Sequence, residues 1–192
     1  EGAVLEPAPL YDKNLLCLGD SITQGMNALH PSLTYAVQLS RHLGMNLLNQ
    51  GVSGYVFDAN TIDPDLPYKP DLITVAYGTN DWATRPNHGD FKQHARAYLE
   101  KLDTVYPEVP IVILSPLWRR ESVEAKPAGE FGSIHRTLHR LYEELKARHR
   151  ASVTYLDGWK LVPAFEEFFA DGLHPTDEGF LHMALNIVKG LK

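Results

Sequence analysis

Five short apolar runs recur along the chain, at residues 15–18, 45–48, 72–77, 109–114 and 153–156. Each is too short for a typical helix, and several are rich in Val, Ile and Leu, so they read as buried strands. Between them the apolar residues change to helical spacing. After Ser32, a candidate N-cap, come Leu33, Ala36, Val37 and Leu43; after Asp90 come Phe91, Tyr98, Leu102 and Val105. Phe131, Ile134, Leu138, Leu141, Tyr142 and Leu145 form the clearest single face. A last helix is expected to start near Thr176, with Asp177 and Glu178 at the positive end of its dipole. Strands that alternate with helices build a parallel sheet covered on both faces. In such sheets function gathers at the carboxyl ends of the strands.

With 192 residues, 44% of them hydrophobic, the chain suits one domain with a proper core. The formal net charge of −6 argues against a nucleic-acid partner. No apolar stretch is long enough to span a bilayer. Cys17, the single cysteine, has no disulfide partner and sits inside the first apolar run, where it reads as a small buried hydrophobe. Residues 1–13 contain two prolines and no clear period. They read as an extended lead-in or as the end of a linker from an upstream domain, and residues 14–192 as the folded domain. The compartment stays open between cytoplasmic and secreted after processing.

Four turns at the strand ends carry chemistry-bearing residues. Gly19-Asp20-Ser21 follows the first run. Its serine is a helix cap, part of a phosphate loop or a nucleophile, although the Gly-Lys-Ser/Thr ending of a P-loop is absent. Asn49-Gln50-Gly51-Val52-Ser53-Gly54 follows the second, and its glycines let backbone amides approach a ligand. Gly78-Thr79-Asn80-Asp81 follows the third; Asn80 is either the centre of an Asx-turn or a neutral donor suited to an oxyanion. Asp171-Gly172-Leu173-His174-Pro175 precedes the last helix and brings a carboxylate and an imidazole three residues apart. Together these turns hold a nucleophile, a base, an orienting acid and neutral donors, the parts needed for acyl transfer.

The four blocks resemble those of the SGNH hydrolases, also called the GDSL esterase superfamily. The likeness runs from about residue 14 to the C-terminus. It rests on Gly19-Asp20-Ser21-Ile22, with Ile where the family name has Leu, on Asn49, Gly51 and Gly54, on Gly78, Asn80 and Asp81, and on Asp171, His174 and Pro175. The resemblance implies an α/β fold: a three-layer α/β/α sandwich around a five-stranded parallel sheet, flavodoxin-like in type. It implies Ser21 as nucleophile, His174 as base and Asp171 as the residue that orients His174. It also implies an oxyanion hole made of the amides of Ser21 and Gly54 and the side chain of Asn80, with no cofactor and no metal.

Tyr55, Trp82 and Trp118 follow strand-end motifs and are expected to line the mouth of the cleft as substrate contacts. Arg85, Arg119 and Arg120 fall on the same edge and read as solvated charges. His135 and His139, four apart, read as a solvated helix face rather than a metal pair. Asp20 and Asp81 read as braces for the catalytic loops. The connection after Asn80 is short and polar, without an amphipathic lid, which disfavours an interfacial lipase. The expected substrate is a small-molecule or oligosaccharide ester of short acyl length, above all an O-acetylated carbohydrate. A lysophospholipase, an acyl thioesterase, a nucleotide or flavin binder and an inert binding module are the competing readings.

Overall fold

The computed structural model describes residues 10–192. Most of the expected lead-in, residues 1–9, lies outside the described residues. The main sheet consists of β1 (Lys13–Gly19), β2 (Met45–Gly51), β3 (Leu72–Ala76), β4 (Ile111–Leu114) and, after a two-residue hairpin formed by β5 (Ala125–Lys126) and β6 (Gly129–Glu130), β7 (Val153–Leu156). Its strand order is β2-β1-β3-β4-β7 and every pair is parallel.

The register explains why the strands read as continuous apolar runs. Leu48, Leu16, Ile73, Ile111 and Val153 stand side by side across all five strands. That row faces α4 (His88–Val105) and α5 (Phe131–Lys146), packing on Phe91, Tyr98, Ile134 and Leu138. The next row, Leu47, Leu15 and Leu72, faces the other way. It packs with α2 (Tyr35–Leu43) and α6 (Asp177–Gly190) through Leu39, Phe180 and Ile187. Two cores on opposite faces of one sheet make the expected three layers. Cys17 is fully buried in the second core, where burial, opposed by a contact with Thr74, pushes its thiol up to about 12. It is an inert packing group, as the apolar run implied.

Element starts differ from the sequence expectation in ways local chemistry explains. Pro31–Leu33 forms a 3-10 turn, so α2 is capped by Thr34 rather than Ser32. α4 begins at His88, because Asn87 Oδ1 accepts the Asp90 N–H at 2.9 Å. Two short helices, α1 (Ser21–Gln24) and α3 (Thr79–Thr84), begin directly after β1 and β3. Those two strands flank the point where the strand order reverses, the place where ligands settle in open α/β sheets. Among the described residues, no helix is long and apolar enough to cross a membrane.

Candidate active site

The serine turn is held from several sides. Asp20 is the N-cap of α1, its Oδ1 accepting the Ile22 N–H at 2.9 Å, which leaves Ser21 as the first helical residue. A Cβ on Gly19 would sit 2.0 Å from Thr23 Oγ1 and 2.9 Å from the Ala76 carbonyl, so only glycine lets β1 turn this closely beside β3. A Cβ on Gly51 would lie 2.1 Å from the Gln24 nitrogen, so β2 also ends directly against α1. Asn49 seals that contact: its Nδ2 donates to Thr23 O at 2.8 Å while its Oδ1 accepts the Gly51 N–H at 2.9 Å. Gln24 Oε1 accepts the Ser53 N–H at 2.9 Å, tying the following loop down as well.

The Asp171–His174 turn approaches from the other side. Ala170 N–H donates to His174 O at 2.9 Å and closes the turn, with Gly172 at φ +82°. Asp171 Oδ1 accepts the N–H groups of Leu173 and His174 at 3.0 and 2.8 Å. Its Oδ2 lies 2.7 Å from His174 Nδ1, and Asn27 Nδ2 donates to the same oxygen at 3.0 Å. Partial burial works to raise the Asp171 carboxyl, but the hydrogen bonds from His174 and Leu173 outweigh it and hold it at about 2. A carboxylate on Nδ1 keeps the ring proton there and leaves Nε2 as an acceptor. His174 Nε2 stands 2.8 Å from Ser21 Oγ. The three side chains form one continuous chain of hydrogen bonds across 153 residues of sequence. Ser21 and His174 are 4% and 8% exposed, so the pair is almost covered.

Neutral donors adjoin the turns that carry this chain. Among the described residues, the N–H groups of Ser21 and Gly54 donate to no acceptor. Gly54 has φ +76° with nothing within 4 Å of its would-be Cβ, so its backbone borders open space. Asn80 Nδ2 donates to the Tyr55 carbonyl at 2.9 Å, which fixes both the amide and the Gly54–Tyr55 loop and leaves the second amide hydrogen unspent. Asp81 accepts the Phe57 N–H at 3.2 Å and the Arg85 guanidinium at 3.0 Å, bracing the same loop. Asp20 and Asp81 therefore brace their loops, as expected.

A model of the GDSL-like Lipase/Acylhydrolase family matches residues 17–180. The chain belongs to that family. The SGNH fold expected of such a hydrolase is the one observed. No curated protein sequence matches the chain at a significant level. Among solved structures, a salicylyl-acyltransferase from a tetracycline biosynthetic pathway superposes with a TM-score of 0.80 at 22% identity, covering 99% of this chain and 57% of that one. A two-domain esterase active on acetylated mannans gives 0.67 at 20% identity, over 93% of this chain and 48% of that one. A carbohydrate esterase family 2 enzyme with a carbohydrate-binding domain, from Corynascus thermopiles (Myceliophthora fergusii), gives 0.70 at 16% identity, over 97% and 69%. This GDSL-family chain thus spans about half the length of the first two.

The expected aromatic rim needs correction. Trp82 is fully buried: its Nε1 donates to Gly129 O at 2.8 Å and its ring packs edge-on to Phe131 at 4.8 Å. It belongs to the core. Trp118 is half-buried against Phe169, with ring centroids 5.1 Å apart. Tyr55 alone of the three is exposed, on the loop next to Gly54. The arginines differ from expectation too. Arg85 is spent on Asp81, and Arg119 is buried beside Trp82 with Nη1 donating to Thr79 Oγ1; only Arg120, paired with Glu166, remains a surface charge. His135 is buried rather than solvated, while His139 is exposed. Asn27, which anchors Asp171, was not singled out by its sequence. The one available signal is an Asn shortly after a Gly in a turn, since Asn27 has φ +69° and Asn tolerates that region.

Proposed function

We propose that the chain is a serine esterase that cleaves short-chain carboxylic esters, above all O-acetyl groups on carbohydrate, through an acyl-enzyme. The observation that carries this reading is the hydrogen-bonded series Ser21 Oγ, His174 Nε2, His174 Nδ1, Asp171 Oδ2, with spacings of 2.8 and 2.7 Å. His174 takes the serine proton as Oγ attacks the carbonyl carbon. The resulting oxyanion is met by the free N–H groups of Ser21 and Gly54 and the spare hydrogen of Asn80. Collapse expels the alcohol, which receives the proton from His174. Water then attacks the acyl-enzyme, with His174 acting as base again, and releases the acid. Asp171 keeps the imidazole in the right tautomer and stabilises its charged form.

Two features favour a small acyl group. Ser21 and His174 are almost covered, and α3 joins α4 through residues 85–87 alone, leaving no lid at that position. Exposed Tyr55 beside Gly54 offers a face to a sugar. The acetylmannan esterase and the carbohydrate esterase among the structural neighbours agree in chemistry. The test is hydrolysis of p-nitrophenyl esters of increasing chain length by the wild type and by Ser21→Ala. Acetate cleaved fastest by the wild type, with a dead variant, is the expected outcome. A preference for long chains would move the assignment to a lysophospholipase or thioesterase. Residual turnover in Ser21→Ala at the wild-type rate would refute the serine mechanism.

A further inference from the structure

A second cluster of polar and aromatic groups lies at the opposite edge of the sheet, outside the machinery described above. Trp159 follows β7 and is 45% exposed. One side of its ring rests on His135, with centroids 4.6 Å apart, and borders Gly132. His135 is 9% exposed, and its Nε2 is buried without a hydrogen-bond partner among the described residues. Gly158 N–H donates to Ser115 Oγ at 2.8 Å, so the Ser115 hydroxyl is free to donate to His135 Nδ1 at 3.0 Å. The Asp157 carboxylate is more distant from Nδ1, at 3.6 Å. Burial, opposed by Asp157, lowers His135 to about 4, so the ring is neutral.

His135 and Trp159 line a surface depression of about 310 Å3. It adjoins another of about 600 Å3, the two sharing His139, Tyr155 and Asp157. Arg136, Lys160 and Lys189 line this groove; Asp157 lies 3.9 Å from Lys160 Nζ and Glu130 lies 3.8 Å from Arg136 Nη2, which leaves three cations against two acids. That local excess of positive charge stands out on a chain of net charge −6. Three strand spacings, roughly 14 Å, separate β1 from β7, the edge strand whose Tyr155 and Leu156 border the groove.

We propose that this groove is a second glycan-binding subsite, in which Trp159 stacks on a pyranose ring while Arg136, Lys160 and Lys189 hold the carboxylates of a uronate-bearing polysaccharide. An exposed flat ring beside planar polar groups suits the apolar face and equatorial hydroxyls of a sugar. The cations select a chain that carries negative charge. The proposal rests on the carbohydrate reading of the active site and names its polymer, held at one point while an acetyl group elsewhere on the chain reaches Ser21.

The test is affinity electrophoresis of the full chain in gels containing either polygalacturonate or unsubstituted mannan, neither of which carries an ester. Polygalacturonate is expected to retard the wild type more strongly than mannan, and less so in high salt. Trp159→Ala should weaken the retardation about tenfold, while Trp159→Tyr keeps most of it. Lys160→Gln with Lys189→Gln should remove the preference for the acidic polymer. All these variants should hydrolyse p-nitrophenyl acetate as the wild type does. No retardation by either polymer, or retardation untouched by Trp159→Ala, overturns the subsite. Equal retardation by mannan overturns the uronate assignment. Binding to anionic lipid vesicles with no retardation by glycan would assign the groove to a membrane surface instead. Retardation with no esterase activity would sink the esterase reading and leave the subsite standing.

Discussion

Replacing Asp20 with Asn should stabilise the protein, and by an amount that grows with pH. Asp20 precedes Ser21, is 2% exposed, and caps α1 through a single oxygen. Burial is the main force on its carboxyl; the Ile22 N–H opposes it, nearby Asp81 adds to it and Arg119 relieves it, and the balance lifts the group from 3.8 to about 7. Below pH 4 both folded and unfolded chains hold the proton, and the site costs nothing. Between 4 and 7 the unfolded chain releases it while the folded one keeps it, so stability falls as pH rises. Above 7 the full cost is present, and the gap from 3.8 to about 7 corresponds to at most about 4 kcal/mol. Asparagine keeps an oxygen for the Ile22 N–H and carries no charge. Urea unfolding of both proteins at pH 4, 6 and 8 reads the effect. The variant should match the wild type within about 1 kcal/mol at pH 4 and exceed it by roughly 2–4 kcal/mol at pH 8. An offset that stays constant across this range would refute the argument, because only a titrating group makes the difference depend on pH.

Three further outcomes follow from the geometry. Asp171→Asn puts an amide against Nδ1, so His174 should turn to the tautomer that cannot accept from Ser21; turnover of p-nitrophenyl acetate is expected to drop roughly 1,000- to 10,000-fold with the fold intact by circular dichroism. Asn80→Ala removes the proposed oxyanion donor and the tie to Tyr55 O, and should lower kcat roughly 100- to 1,000-fold with a smaller change in KM. Trp82→Ala should cost about 3–5 kcal/mol in urea unfolding yet leave the acetate-to-butyrate rate ratio unchanged, because the ring is core and not cleft.

The layers were legible because burial on both faces forces each strand into an unbroken apolar run. The row Leu48–Leu16–Ile73–Ile111–Val153 is what those runs become once aligned. Helix starts were less legible because caps compete. Ser32 and Thr34 are equally suited by type, and it is Pro31, starting a 3-10 turn, that hands the cap to Thr34. The two-residue hairpin of β5 and β6 carries too few residues to show any period.

The site was legible where its parts are local and misread where a helix intervened. Asp171 and His174 meet within one turn, so their spacing alone implies the pair. Trp82 stands two residues from Asn80 and was assigned to the cleft on that nearness. In α3, however, each residue rotates about 100° from the last, so Trp82 lies on nearly the opposite side from Asn80 and enters the core. The same periodicity could have rescued His135, four residues after Phe131 and three before Leu138 on the apolar face of α5. A neighbour in sequence is a neighbour in a site only where the backbone is extended or turning. Tyr55, on the loop after Gly54, satisfies that condition, and it is the one aromatic of the three that stays exposed beside the loop that Asn80 ties down. By the same logic, a search for further substrate contacts belongs on residues 52–56 and on the turn after Asp171, and not on the helices that follow Asn80.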